Sequence, residues 1–135
     1  IMGSARASLR LTSSDVFTTS VDISTAAAII ADGGSIGRAK VLKTAVHNDA
    51  LVVYKADDKL VNANLYVKNL EGEKENYVYI YNDTDSDALV AKIPGGEFAF
   101  IPVAVDKTYK VYATRVDSLV EFAVFGLDSS AVTLS

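Results

Sequence analysis

The sequence contains no cysteine and no tryptophan, a single histidine and only two prolines. Without cysteine it can form neither a disulfide framework nor a thiolate metal site. A histidine-based nucleophile or metal centre would have to use His47, which lies among turn-forming residues and is interpreted as a surface loop residue. Polysaccharide-cleaving sites normally recruit tryptophan platforms, which are also missing. We therefore predict no catalytic residue, no cofactor and no enzymatic activity.

Long apolar runs and clustered positive charge are missing as well. No stretch approaches the roughly 20 apolar residues of a membrane helix, and the first four residues are too short and polar for a signal peptide. The formal net charge is −4, with a sequence pI near 4.9, and the basic residues are scattered singly. Phosphate backbones are bound by clustered Lys and Arg. These features predict a soluble protein, made in the cytoplasm, that binds neither nucleic acid nor membranes.

What is present is a residue pattern with a period of two. Residues 5–12 alternate apolar with polar side chains, and residues 77–81 are all aromatic or β-branched, as in a pleated sheet. About nine or ten such segments follow one another at the spacing typical of a sandwich or barrel. The sequence predicts one all-β domain over residues 1–135, an antiparallel β-sandwich of jelly-roll type. Residues 127–135 are predicted to be a C-terminal tail.

Four local predictions are more specific. Ser24 and Thr25 are predicted to cap one short helical turn through the following alanines, with an irregular crossover as the alternative. Residues 39–46 and 50–55 are predicted to pair as a hairpin around residues 47–49. Phe98 and Phe100 are predicted to pack against the opposite sheet. The glycines of residues 33–37 are predicted to permit positive φ at a bend.

The acidic stretch at residues 82–87 is the one candidate ion site. Asp83, Asp85 and Asp87 alternate as in many calcium loops, and Asp57 and Asp58 from another loop are possible helpers. The glycine and the glutamate that an EF-hand needs are missing at their positions. A solvated hairpin loop is the favoured interpretation.

Two apolar sets are candidates for protein contacts. Tyr77, Tyr79 and Tyr81 share one face of their strand, and tyrosine is enriched in interface cores. The alternative is that they pack within the domain. Residues 1–11, with Leu9 and Leu11, are either an N-terminal arm that adds a strand to a neighbour's sheet or an edge strand of their own domain.

Three segments in the second half of the chain resemble a known group of proteins. They read Tyr-Val-Lys-Asn-Leu at residues 66–70, Pro-Gly-Gly-Glu-Phe-Ala-Phe-Ile-Pro at 94–102 and Val-Glu-Phe-Ala-Val-Phe at 120–125. This succession is similar to small β-sheet virion proteins of tailed bacteriophages, including capsid decoration (cement) proteins. The turn carries an extra glycine here, and Phe122 stands where that group commonly has tyrosine. Residues before Leu60 share only a general feature with that group, a Ser/Thr-rich first segment that leads into a β-hairpin.

The resemblance implies a homotrimer on the outer surface of the virion, bound to the major capsid protein and bridging its copies. A ligand that binds only the assembled lattice stabilises that lattice by mass action, and a trimer adds avidity. A head-fibre, neck or tail component is the alternative within the same particle. From another class, the alternative is a calcium- or carbohydrate-binding β-sandwich module.

Overall fold

The structure is a computed structural model that describes residues 3–16, 18–31, 33–43, 50–83 and 88–128. The regular elements in these ranges are all strands, and none of them is a helix that could span a membrane. The ten strands are β1 (Gly3–Ser13), β2 (Val21–Ala31), β3 (Gly33–Val41), β4 (Leu51–Tyr54), β5 (Leu60–Asn69), β6 (Val78–Asn82), β7 (Ala88–Ile93), β8 (Phe98–Val103), β9 (Tyr109–Ala113) and β10 (Ser118–Asp128).

Eight of these strands form two four-stranded antiparallel sheets. Sheet 1 has the strand order β3-β10-β5-β8 and sheet 2 has the order β4-β9-β6-β7. The chain crosses from one sheet to the other at each connection from β3 to β10, except between β6 and β7. This is the strand order of an eight-stranded jelly roll. The predicted all-β, jelly-roll-like sandwich is confirmed.

The core fills the space between the two sheets, because alternate residues of each strand point inward. Sheet 1 contributes Leu65, Val67 and Val120, and sheet 2 contributes Ile80 and Val111, all fully buried. They belong to one cluster of buried apolar side chains that draws on both sheets. Burial of this cluster is the main source of stability for the jelly roll.

The remaining strands, β1 and β2, form a separate two-stranded antiparallel ribbon. All 11 residues of β1 pair with all 11 of β2 without a register shift. The predicted helical turn after Ser24 is therefore wrong: Ala26 and Ala28 pair with Ser8 and Arg6 of β1. Alanine has a high helix propensity, but continuous pairing with an alternating strand overrides it here.

The predicted hairpin around residues 47–49 is also wrong. β3 ends at Val41 and pairs with β10, whereas β4 begins at Leu51 and pairs with β9 in the other sheet. Turn-forming residues between two strands do not by themselves distinguish a hairpin from a crossover between sheets. His47 and residues 44–49 lie outside the described residues.

The two faces of strand β8 are oriented opposite to the prediction, so that Phe98 and Phe100 face away from the opposite sheet. Ala99, Ile101 and Val103 pack on the core, while Phe98 and Phe100 alternate with them and lie on the outer face of sheet 1. Phe98 remains 53% exposed. Both faces of this strand are apolar, so periodicity alone did not decide between them, and assigning the larger side chains to the core was incorrect.

Two glycines are required for different reasons. At Gly34 a Cβ atom would collide with the carbonyl oxygen of Val124, because β3 approaches β10 closely there. The predicted positive φ is instead found at Gly96, with a φ of 83°. There the Glu97 N–H donates to the Pro94 carbonyl at 3.1 Å, as in a type II turn.

A buried asparagine at the end of β5 holds this turn. The Asn69 side chain is fully buried and donates to the carbonyls of Asn76 at 2.7 Å and Ile93 at 3.0 Å, while accepting from the Glu71 N–H at 3.0 Å. Its backbone carbonyl accepts from the Gly96 N–H at 2.9 Å. Because its carbonyl and amide groups all have partners, burial of this polar group is compensated.

The predicted tail begins too early. β10 extends to Asp128, and Leu127 is buried with 8% exposure. The pairing of β10 with β5 continues to Asp128 across an irregularity after Leu127. Residues 129–135 lie outside the described residues.

Candidate interaction surface

The β1–β2 ribbon has one apolar and one largely polar face. Residues directly opposite each other in an antiparallel pair share a face, so Leu9 and Leu11 lie on the same side as their partners Thr25 and Ile23. Leu9 is 39%, Leu11 49% and Ile23 54% exposed. Towards the other end of this face, Ile29 is buried with 8% exposure. The apolar face is thus covered at the Ile29 end and open at the Leu11 end.

The opposite face of the ribbon carries the charges. Arg10, which lies opposite Ser24, binds the diagonally placed Asp22, and its Nε and Nη2 each donate to one carboxylate oxygen at 3.1 Å. Both side chains are more than 60% exposed, so this bidentate pair contributes little stability. It does identify which face is the polar one.

A groove of about 560 Å³ separates the apolar face of the ribbon from β8. Leu9, Leu11 and Ala27 line one wall, and Phe98 and Phe100 line the other. The predicted contact residues Leu9 and Leu11 are therefore brought together with two phenylalanines that had been assigned to the core. The groove is open, and its lining is dominated by aliphatic and aromatic carbon.

The outer face of sheet 1 beside this groove carries a polar triad. Tyr66 donates its hydroxyl to Glu121 Oε1 at 3.1 Å, and Arg38 donates its Nε to Glu121 Oε2 at 3.1 Å. These two hydrogen bonds, the tyrosine's first, lower the pKa of Glu121. Burial, followed by the bond to Glu121, raises the pKa of Tyr66. Both shifts favour a charged carboxylate beside a neutral phenol.

Tyr77 and Tyr79 belong to an aromatic row on the outer face of sheet 2. The Tyr79 and Tyr112 rings stack with centroids 4.9 Å apart, and Tyr77 lies 6.4 Å from Tyr79. The Lys92 ammonium sits 4.1 Å from the centroid of the Tyr77 ring, a favourable cation–π distance. The ring faces are thus largely occupied by one another and by a lysine, although Tyr77 and Tyr79 are only half-buried.

Tyr81 must be removed from the predicted contact residues. It is 1% exposed, and its ring meets that of Tyr112 edge-on at 5.3 Å. The pairing of β6 with β7 is irregular between Ile80 and Tyr81, so the simple alternation that placed Tyr81 beside Tyr77 and Tyr79 does not describe its surroundings. Tyr81 packs within the domain.

The candidate ion site is only partly described. Asp85 and Asp87 lie outside the described residues, and the Asp83 carboxylate pairs with Lys110 Nζ at 2.9 Å. Asp57 accepts a hydrogen bond from the Lys59 N–H at 3.0 Å, which orders its own turn. In the described ranges no three potential ligands are grouped so as to hold a metal ion.

Sequence reasoning missed the roles of two residues. Asn69 was noted as part of a motif, but its buried polar role had no separate signal in one sequence. Phe98 was noted as apolar, and only the orientation of β8 reveals it as part of the surface. The signal that could have identified it is the presence of large apolar residues on both faces of β8, since only one face of a strand can pack on the core.

Comparison with known proteins yields little beyond the fold. The sequence matches no known protein family and no curated protein. One solved structure, from work on Bacillus endospore appendages that form a novel family of disulfide-linked pili, is similar with a TM-score of 0.49 and 16% identity. The alignment covers 71% of this chain and 87% of that one.

Proposed function

We propose that this chain is a structural protein of a bacteriophage particle, a capsid decoration protein that binds the assembled outer capsid as a homotrimer and stabilises contacts between major capsid proteins. The observation that carries the proposal is the β1–β2 ribbon with its open apolar groove. A ribbon with one buried residue among its strands suits a protein whose surface is completed by other proteins. An isolated two-stranded hairpin is marginally stable in water.

The resemblance to decoration proteins supports the proposal through residues that meet in space. The segment that ends in Lys68-Asn69-Leu70 and the turn that begins at Pro94 are 24 residues or more apart in sequence, yet Asn69 and Gly96 are hydrogen-bonded at 2.9 Å. The two motifs are thus parts of one structural unit. They support a common architecture more strongly than a common contact surface, because Asn69 is buried.

The jelly-roll body supports the same role in a second way. Two sheets packed on one apolar cluster form a rigid scaffold on which surface contacts keep their geometry. Stabilisation of a lattice needs this rigidity and no chemistry, since a protein that binds only the assembled state lowers the free energy of that state.

The decisive experiment is co-sedimentation with undecorated capsids assembled from the major capsid protein of the phage that encodes this chain. We expect the purified protein to be trimeric, to bind such capsids at a stoichiometry set by the lattice, and to raise the temperature at which they break. A monomer that ignores capsids would contradict the proposal. Labelling of a head fibre, neck or tail in intact particles would support the alternative position in the same virion.

A carbohydrate- or calcium-binding module is the second candidate, and the half-buried aromatic row on sheet 2 is the surface that a sugar would have to use. Sugar rings bind to exposed aromatic faces, whereas the Tyr79 face stacks on Tyr112 and the Tyr77 face is covered by Lys92. This arrangement makes the row less suitable for a sugar. Binding to a glycan array, or a calcium-dependent rise in melting temperature, would favour this candidate over the capsid protein.

A further inference from the structure

Each strand of the β1–β2 ribbon has one long edge that pairs with no other strand of the described residues. β1 pairs with β2 and with no other described strand, so each of these strands has one edge without a partner along 11 residues. Natural edge strands are usually blocked by Lys, Pro, bulges or short length. β1 and β2 contain neither Lys nor Pro, pair without a bulge and are both long. Such edges are suited to contact with other chains.

The apolar face of the ribbon is partly exposed beside the groove. It carries three large apolar side chains that are exposed, namely Leu9, Leu11 and Ile23. Across the groove, Phe98 is 53% exposed. Contiguous apolar surface of this kind marks a contact site.

The ribbon supplies part of the area that a stable contact needs. A strand rises about 3.4 Å per residue and neighbouring strands lie about 4.8 Å apart, so one face of the two 11-residue strands projects about 360 Å². Each partner in a stable interface contributes about 800 Å² of accessible surface. The ribbon face approaches half of that value, and the β8 wall of the groove together with the free edges adds to it.

The charge distribution favours a second copy as the partner. Within residues 3–31, Arg6 and Arg10 balance Asp15 and Asp22, so this part of the chain has no net charge, whereas the whole chain has a net charge of −4. Two copies that meet through their acidic bodies repel each other. Two copies that meet through their ribbons do not.

We propose that the groove between the ribbon and β8, lined by Leu9, Leu11, Phe98 and Phe100, is the surface through which copies of this chain associate. The inference deepens the proposed function and rests on it for the trimeric assembly, but it names the surface. Association covers the apolar face of the ribbon, and the strand edges next to the groove become buried. The outer face of sheet 2, with its aromatic row, stays free for other contacts.

The test compares two groove variants with a matched control. Leu11→Asp and Phe98→Asp place a carboxylate on either wall, and Leu89→Asp makes the same kind of change on β7 in sheet 2, where Leu89 is 58% exposed. Light scattering after size-exclusion chromatography measures molar mass. We expect the wild type and Leu89→Asp at a multiple of 14.4 kDa, and both groove variants at 14.4 kDa with unchanged circular dichroism.

A second measurement avoids dependence on the folding of the Asp variants. The sequence has no cysteine, so Leu11→Cys and Leu89→Cys each introduce one thiol. We expect alkylation of the Leu11→Cys thiol by iodoacetamide to slow at least tenfold when the protein concentration is raised into the associated range. The Leu89→Cys thiol should react at the same rate throughout.

The outcomes separate the inference from the proposed function. A wild type that is monomeric at 100-fold different concentrations, or groove variants that keep the wild-type mass, overturns the inference. If that monomer still co-sediments with capsids, the capsid-binding role stands and the homotrimer does not. If the copies associate through the groove but do not bind capsids, the inference about the association surface stands and the proposed capsid role is wrong.

Discussion

The jelly-roll body and the β1–β2 ribbon are built from similar alternating sequences, yet they differ sharply in burial. In the body, each sheet covers the apolar face of the other, and residues such as Leu65 and Val111 are fully buried. In the ribbon, Ile29 is the one buried residue among the 22 of β1 and β2. Alternation is therefore sufficient to form a strand, but burial depends on whether a second layer is present.

The comparison teaches where stability resides in this protein. Burial of apolar area drives folding, so the free energy of unfolding should depend on the body and hardly on the ribbon of the isolated chain. The ribbon should matter instead for association. Each of the following predictions tests this division between the body and the ribbon.

Asn69→Leu should have the largest effect on the body. It leaves the carbonyls of Asn76 and Ile93 and the N–H of Glu71 without their partners. Each buried unsatisfied group costs about 1–3 kcal/mol, and we expect a total loss of about 4 kcal/mol in the free energy of unfolding. Urea denaturation measures it. Asn62→Leu, at an exposed position of the same strand, should change stability by less than about 0.5 kcal/mol.

Truncation of one leucine in each region tests the division directly. Leu65→Ala removes a fully buried side chain and should cost about 3 kcal/mol through lost burial and a cavity. Leu11→Ala, at a position that is 49% exposed, should cost no more than about 0.5 kcal/mol at concentrations where the chain is monomeric. Equal losses in denaturation midpoint would mean that the ribbon is an integral part of the folded unit.

Gly34→Ala tests the junction of the two regions, where β3 follows the ribbon. The added Cβ atom collides with the Val124 carbonyl of β10, and we expect a loss of about 2 kcal/mol as the strands separate. Gly33→Ala is the matched control, since nothing lies within 4 Å of its Cβ position. A Gly34→Ala protein with the thermal stability of the control would show that β3 adjusts freely.

The smallest predicted effect concerns pH. Folding lowers the pKa of Glu121 below its ordinary value of 4.5, so its contribution is present above that value and is lost as the pH falls through the folded value. We expect the melting temperature of the wild type to exceed that of Glu121→Gln at pH 7, and the difference to shrink towards pH 3. Glu73→Gln reports the general effect of removing an exposed carboxylate. A difference that grows on acidification would contradict the assignment.

Much of the fold could be predicted from the sequence because sheet formation leaves a local signal. Residues 5–12 and 77–81 have the strand pattern in the sequence, and the structure has the strands Gly3–Ser13 and Val78–Asn82 there. The jelly-roll type was also predicted, from the number and spacing of such segments. These features depend on side chains close together in the chain, and a single sequence contains that information.

What failed depends on contacts distant in the chain. Ala26 forms part of a strand because Ser8 pairs with it, and Phe98 points outward because Ala99 fills the inner position. For the same reason, only one wall of the groove was predicted. Leu9 and Leu11 were identified from the pattern of their own strand, whereas the wall formed by β8 is revealed only by the arrangement of the strands in space. The capsid role stays a prediction.

The strand order of sheet 1 has a consequence for synthesis on the ribosome. β10 lies between β3 and β5 and pairs with both, so this sheet cannot close before residue 128 has left the exit tunnel. Until then β10 is not available to pair with β3 and β5. The edges of these two strands that β10 later covers remain exposed to other nascent chains. A stalled or truncated product that ends before residue 118 therefore lacks the centre of a sheet, and we expect it to be recovered with chaperones or in aggregates.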